Sequence, residues 1–288
     1  MRIKLTLAAV FLPVLLTAQE QVSVRGRIVD EKGEAVEYVQ VGVPGRHIGT
    51  ISTVDGHFEI SVPLDTLDFF HVAYQTARYP VTGPVDDLLI VLHENELSPA
   101  VSIGGDTKEK YLVRPGKNLF GNKSSIAFDL SNGKKGSEMG SIARARKPFL
   151  IRNIQLTIHA NYAPGCVAAI NIYRIEGEPE TFVNILHKPV YFDIAVSDSP
   201  RKYDIQPDES ILLEPGKYFV AFQIVAVDED AVRKYRERPE SERKRDFTAM
   251  QLYTPIHFKS SYIRHAAMGE MEHLPINIGV AVKGLEYQ

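Results

Sequence analysis

Residues 22–62 contain Val22-Ser23-Val24-Arg25-Gly26-Arg27-Ile28-Val29-Asp30, then Lys32-Gly33, then Tyr38-Val39-Gln40-Val41-Gly42-Val43-Pro44-Gly45, then Thr53-Val54-Asp55-Gly56-His57-Phe58. The first run reads as a strand stopped by the Lys32-Gly33 turn chemistry. In the second, Tyr38, Gln40 and Gly42 alternate with Val39, Val41 and Val43, which is the period of a strand. Pro44-Gly45 ends it. Ile48 to Thr53 and His57 to Val62 flank an Asp-Gly pair, a hairpin signal between two β-rich runs. Leu67 to Val72 and Leu88 to Leu92 supply two further strands. About six short strands with regularly spaced turns predict a small β-sandwich.

These residues resemble the carboxypeptidase regulatory-like domain, a transthyretin-type seven-stranded sandwich. The resemblance rests on Val24 to Asp30, Gly33, Val39 to Val43, Gly49-Thr50, Thr53, Asp55-Gly56 and Phe58. It continues through Phe70-His71-Val72-Ala73-Tyr74 and Leu89-Ile90-Val91-Leu92, and assigns residues 20–103 to this domain. Ala73 departs from the family, which usually has Gly before the aromatic. The resemblance implies a non-catalytic module of the kind found beside peptidases and at the front of outer-membrane nutrient receptors. His93 and Glu96 form His-x-x-Glu, half of a metallocarboxypeptidase zinc site. A zinc enzyme needs a third ligand and a fold around it, so this pair is not assigned to metal.

Upstream, Met1-Arg2-Ile3-Lys4 is followed by an apolar run from Leu5 to Leu16 and then Thr17-Ala18-Gln19. A basic start, a short apolar core and small residues read as a secretory signal peptide over residues 1–19. The run is shorter than the ~20 residues of a membrane span. Cleavage removes Arg2 and Lys4 and no acid, leaving 31 basic against 36 acidic residues and taking the net charge from −3 to −5. That balance removes the main reason to expect nucleic acid. No Cys stands at the cut site, so the chain is not read as a lipoprotein. The lone Cys166 cannot form an intramolecular disulfide and reads as a small buried hydrophobe. An exported chain without disulfides fits a bacterial envelope, periplasmic or outer-surface.

Residues 104–122, rich in Gly, Lys, Asp, Glu and Asn, read as a linker. Residues 123–288 read as a second β domain. Ile154, Leu156 and Ile158 alternate with Gln155, Thr157 and His159, and further runs cover Val167 to Ile175 and Pro189 to Ile194. Tyr218, Val220, Phe222 and Ile224 alternate with Phe219, Ala221, Gln223 and Val225. Ile276, Ile278, Val280 and Val282 read as a last strand. Period-two alternation predicts one buried and one wetter face per strand. About eight strands suggest a jelly-roll-like sandwich. The expected fold class is therefore all-β, two sandwiches in series. The layout also resembles a class of exported envelope proteins of undefined role, through Glu138-Met139-Gly140, Asn171-Ile172-Tyr173 and Gly216-Lys217-Tyr218-Phe219-Val220.

Other clusters invite weighing. Residues 228–245 mix seven basic and six acidic side chains, which reads as a solvated hairpin loop or a short exposed helix. His257, His265 and His273 recur every eight residues, yet on one strand successive members would stand about 26 Å apart. Lys134, Lys135, Arg144, Arg146 and Lys147 form a basic stretch that suits a charge-protected sheet edge or an anionic glycan or lipid head group. No Gly-x-Ser-x-Gly, Walker loop, His-Glu-x-x-His or Gly-x-Gly-x-x-Gly occurs. Carbohydrate platforms favour Trp, and there is none, although 13 Tyr are present.

The sequence thus predicts an exported, non-enzymatic binding or assembly module for an envelope protein or glycan. No catalytic, cofactor-binding or metal residue is assigned, and no cofactor is expected. An accessory module of a hydrolase or nutrient receptor is the alternative, and an unrecognised hydrolase the third.

Overall fold

The structure, a computed structural model, describes residues 21–96, 104–116, 124–133 and 135–288. The segment read as a signal peptide lies outside the described residues, as does Lys134.

The N-terminal unit holds β1 (Val22–Asp30), β2 (Gln40–Gly42), β3 (Gly49–Ile51), β4 (His57–Val62), β5 (Thr66–Phe70), β6 (Ala77–Pro80) and β7 (Val85–Leu92). They form a three-stranded sheet ordered β4-β1-β7 and a four-stranded sheet ordered β3-β2-β5-β6. Strands β1 and β7 are parallel. Alternation decides which side chains meet between the sheets. Phe58, Ile60 and Val62 of β4 are buried while His57, Glu59 and Ser61 are exposed. They pack with Val24, Ile28, Leu67 and Phe69 in one cluster. Each such apolar side chain contributes about 2 kcal/mol by leaving water.

The Asp55-Gly56 turn forms, with Thr53 N–H donating to the His57 carbonyl at 2.8 Å. The predicted hairpin does not, because β3 pairs β2 and β4 pairs β1. Ser52 holds the first arm in its own sheet, its buried Oγ accepting from Val39 N–H at 2.9 Å and its N–H donating to the Val39 carbonyl.

The C-terminal unit begins earlier than expected. Residues 107–113, placed by composition in a linker spanning 104–122, form β8 (Thr107–Val113). It lies at the edge of a sheet against the last strand, β22 (Ala281–Tyr287), where Lys110 meets Glu286 at 2.5 Å and Lys283 meets Glu109 at 2.8 Å. A solvated edge strand carries the charges that make it look like a linker. Between these two come β9 (Ser125–Asp129), β10 (Glu138–Ala145), β11 (Phe149–Ile158), β12 (Ala160–Asn161), β13 (Cys166–Glu176), β14 (Thr181–Asn184) and β15 (Val190–Ile194). They are followed by β16 (Arg201–Ile205), β17 (Ile211–Leu213), β18 (Gly216–Ala226), α1 (Glu229–Glu237), α2 (Glu240–Arg245), β19 (Gln251–Pro255), β20 (Ser261–Arg264) and β21 (Glu272–Leu274).

One sheet runs β14-β13-β18-β10-β20-β21 with β15 also on β13, a second runs β16-β11-β22-β8 with β17 on β11, and β12-β19-β9 make a third. Ile154, Leu156 and Ile158 of β11 meet Ile170 and Ile172 of β13 and Val220 and Phe222 of β18 in the main core. The last predicted strand, Ile276 to Val282, starts only at Ala281 because Gly279 turns into the left-handed region at φ +69°. The charged segment 228–245 is helical. Asp228 caps α1 by accepting from Ala231 N–H at 3.0 Å, and Val232 and Tyr235 are buried on the core.

Candidate functional site

Strand β18 breaks the expectation of one wetter face. Phe219, Ala221, Gln223 and Val225 are as buried as their inward-facing neighbours. Two different coverings explain this. Ile51 of the N-terminal unit packs on Ala169, Val225 and Ala267. Farther along, Tyr173, Phe219 and Tyr262 pack with Phe182 and Met271. Contacts across the unit boundary extend the first covering. Tyr38 meets Tyr191 edge-on at 5.0 Å, and Gly45 N–H donates to the Met268 carbonyl at 3.1 Å. His47 and His265 approach the same Glu272 carboxylate oxygen at 3.5 and 3.7 Å.

Between the two coverings lies a buried polar network. The Glu138 carboxylate accepts from Asn171 Nδ2 at 2.9 Å and from Tyr173 Oη at 2.8 Å, and Arg264 stands 3.6 Å away. Asn171 also donates to Gln223 at 3.0 Å, and Asn184 donates to Asn171 at 3.1 Å. Strands β10 and β13 both flank β18, so the register brings these side chains together. Complete burial pushes the Glu138 carboxyl above its ordinary range, against the pull of Arg264 and the two hydrogen bonds. Burial and the neighbouring Glu138 raise the Tyr173 phenol. The first two motifs quoted for the envelope-protein resemblance therefore converge on one carboxylate. The sequence reading missed Arg264 and Gln223, which no spacing marks.

A groove of about 830 Å³ lies between the units. That size lies within the usual range for small-ligand sites. One wall is the outer face of the β4-β1-β7 sheet, with Arg25, Arg27, His57, Glu59 and Leu89. Gly133, Lys135, Glu229 and Arg236, on and beside α1, make the other. A bulge shapes the first wall. Between the pairs Val24–Val85 and Gly26–Leu88, β7 carries one residue more than β1. Asp87, at φ 62°, absorbs the excess and lines the groove. Gly26 is required opposite, because a Cβ there would lie 2.0 Å from the Leu88 carbonyl oxygen. Arg25 is neutralised by Glu59 at 2.8 Å and Asp86 at 3.6 Å, and Lys135 by Glu229 at 3.0 Å. Neither Asp87, Arg27 nor Arg236 makes an ion pair with a described residue.

The side chains singled out from sequence are dispersed. His93 pairs with Glu31 at 2.8 Å on the surface, and Glu96 is exposed. His265 belongs to the unit boundary, and His273 packs edge-on against Tyr262 at 5.6 Å. His257 lines a smaller cavity of about 190 Å³ with His159, Gln155, Thr157 and Lys202. Beside that cavity Ser125 Oγ lies 2.6 Å from His159 Nδ1. Burial, and then His257, lower the His159 pKa. Arg144, Arg146 and Lys147 remain exposed near the end of β10, the two arginines separated by buried Ala145. Cys166 is buried, its thiol pushed up to about 12 by that burial. Among the described residues no group of three His, Cys, Asp or Glu is placed to hold a metal ion, and no helix is long and apolar enough to cross a membrane.

No protein-family profile matches the chain, and none of the curated proteins matches it significantly. One solved structure similar to it is a DUF3823 family protein from Parabacteroides merdae ATCC 43184. The identity is 10%, the alignment covers 89% of this chain and 97% of that one, and the TM-score is 0.20.

Proposed function

We propose that the chain is an exported, non-catalytic binding or assembly protein of the bacterial cell envelope, periplasmic or outer-surface. In this reading the N-terminal unit is a carboxypeptidase regulatory-like sandwich of the transthyretin type, and the C-terminal unit is a jelly-roll-like sandwich. Seven strands in sheets of three and four, with Gly33 and Gly56 at turns in the left-handed region, support the first assignment. The groove between the units carries the functional reading. It spans both units, is wide enough for a ligand, and is lined by Asp87, Arg27 and Arg236, which form no ion pair among the described residues. A protein loop or a glycan is the expected partner. The test is a glycan array and affinity capture from envelope extract, with Arg27→Glu and Arg236→Glu as controls. Partners lost in both variants support the reading, and silence of the native protein in both assays overturns it. Sequencing the amino terminus of envelope-fractionated protein checks export, with Gln19 or Glu20 expected first.

A hydrolase is the second reading, favoured by the Ser125–His159 contact. A base held neutral next to a hydroxyl is how a serine nucleophile is activated. Among the described residues, however, no carboxylate hydrogen-bonds the other nitrogen of His159 to orient the ring. Treatment with a fluorophosphonate probe is expected to leave Ser125 unlabelled. An adduct on Ser125 that disappears in His159→Ala would replace the binding reading by this one.

A further inference from the structure

Three charged groups of the groove form no ion pair among the described residues: Arg27 on the sheet wall, Arg236 on the helix wall and Asp87 at the bulge. Arg27 lines the groove, its Nε donates to the Asp55 carbonyl at 3.3 Å, and it forms no ion pair among the described residues. The neighbouring Asp55 carboxylate is held below its usual range first by the Thr53 hydroxyl and, more weakly, by His57, 3.7 Å away, and by the charge of Arg27. It is therefore already engaged. Asp87 occupies a backbone region that non-glycine residues rarely adopt, and its side chain makes no ion pair among the described residues. Strain of this kind persists where surrounding structure enforces it, often at binding sites. A bulge re-aims a side chain, and here it aims an acceptor into a cleft whose opposing walls offer guanidinium donors.

These charges restrict the ligand. A dense polyanion would meet Asp87 and be repelled. A neutral apolar ligand would leave two arginines desolvated and unpaired, which is costly. A ligand whose carboxylates are separated by hydroxyl-bearing sugar rings satisfies all three. The carboxylate takes bidentate hydrogen bonds from guanidinium, and Asp87 accepts from hydroxyls. Leu89, 60% exposed in the same wall, offers an apolar contact for a C–H face. We propose that the groove binds an acidic saccharide, its carboxylate held by Arg27 and Arg236 from opposite walls and its hydroxyls by Asp87. The inference rests on the binding-module reading and names the ligand class of that same groove.

Calorimetric titration of the signal-free protein tests it, with trigalacturonate, its methyl ester and neutral galactotriose as probes. Trigalacturonate is expected to bind, and both uncharged probes to bind at least tenfold more weakly. Arg27→Gln, Arg236→Gln and Asp87→Asn are each expected to weaken trigalacturonate by about tenfold or more, the scale of one charge-assisted hydrogen bond. Asn tolerates the left-handed region, so Asp87→Asn keeps the bulge. Thermal midpoints within a few degrees of the native protein would establish that the variants fold. Equal affinity for the ester, unchanged affinity in the charge variants, or no binding of trigalacturonate overturns the inference. If a neutral glycan or an envelope protein is still captured in that case, the binding reading survives without it.

Discussion

His71 couples protonation to the joint between the units. It is 8% exposed, and its Nδ1 accepts from Ala73 N–H at 3.2 Å. The proton of the neutral ring therefore sits on Nε2, which donates to Tyr191 Oη across the boundary at 3.2 Å. The Tyr74 ring lies 5.3 Å away, and Tyr38, Glu37 and Asp193 surround the tyrosine pair on the other side. Burial lowers the His71 pKa from 6.5 to about 4. The unfolded chain therefore takes up this proton first. The stability that His71 contributes is complete above about pH 6.5 and is lost as pH falls toward 4. The gap is worth on the order of 3 kcal/mol. Urea unfolding at pH 7.5, 5.5 and 4 should show that loss, and His71→Gln should flatten it. A pH slope identical in the two proteins would show that His71 is not the responsible group. Nothing in Phe70-His71-Val72 announces this, because the burial comes from Tyr191, 120 residues away.

At the scale of strands, the sequence was legible where a side chain's fate depends on its own strand. The alternations in β4, β11 and the inward face of β18 match the observed burial. They were illegible where a second layer decides. Phe219, Gln223 and Val225 looked solvent-facing because the elements covering them lie elsewhere in the chain. Strand β8 was hidden by its edge charges, and Ile276 to Val282 looked continuous because the pattern ignores the turn at Gly279. The polar network has the same origin, since five strands each supply one or two members and no single strand reveals it. Its energetics are cooperative. Arg264→Met leaves a buried carboxylate, and Glu138→Gln leaves a buried guanidinium, so each is expected to cost about 3 kcal/mol. The double substitution should cost less than either one. The Arg264→Met penalty should also grow with pH, because burial keeps Glu138 protonated at the acid end and the cost arises once it ionises. Denaturant midpoints for the four proteins at pH 5 and 8 decide this. Additive penalties at both pH values would mean that the pair is not coupled.

For the molecule as a whole, the question is whether the two units act as one body. Close main-chain approach at the boundary argues that they do. A Cβ on Gly49 would lie 1.9 Å from the Ala267 carbonyl oxygen, and its three nearest atoms all belong to Ala267. The N-terminal unit is thus seated directly on the C-terminal backbone, which lets Ile51 reach Ala169 and Val225 and holds open the groove whose walls come from both units. Gly49→Val places its strain across the boundary, not inside either core. Because overpacking costs about 1–3 kcal/mol, the joint is expected to yield before either sandwich does. The native protein should melt in a single calorimetric transition, and Gly49→Val in two. In the variant trigalacturonate affinity should fall, since Arg27 and Arg236 no longer face each other at a fixed distance. If Gly49→Val lowers one shared midpoint without splitting it, the units fold as an inseparable whole and the boundary is part of a common core. If it splits the transition and leaves binding intact, the groove is not the site.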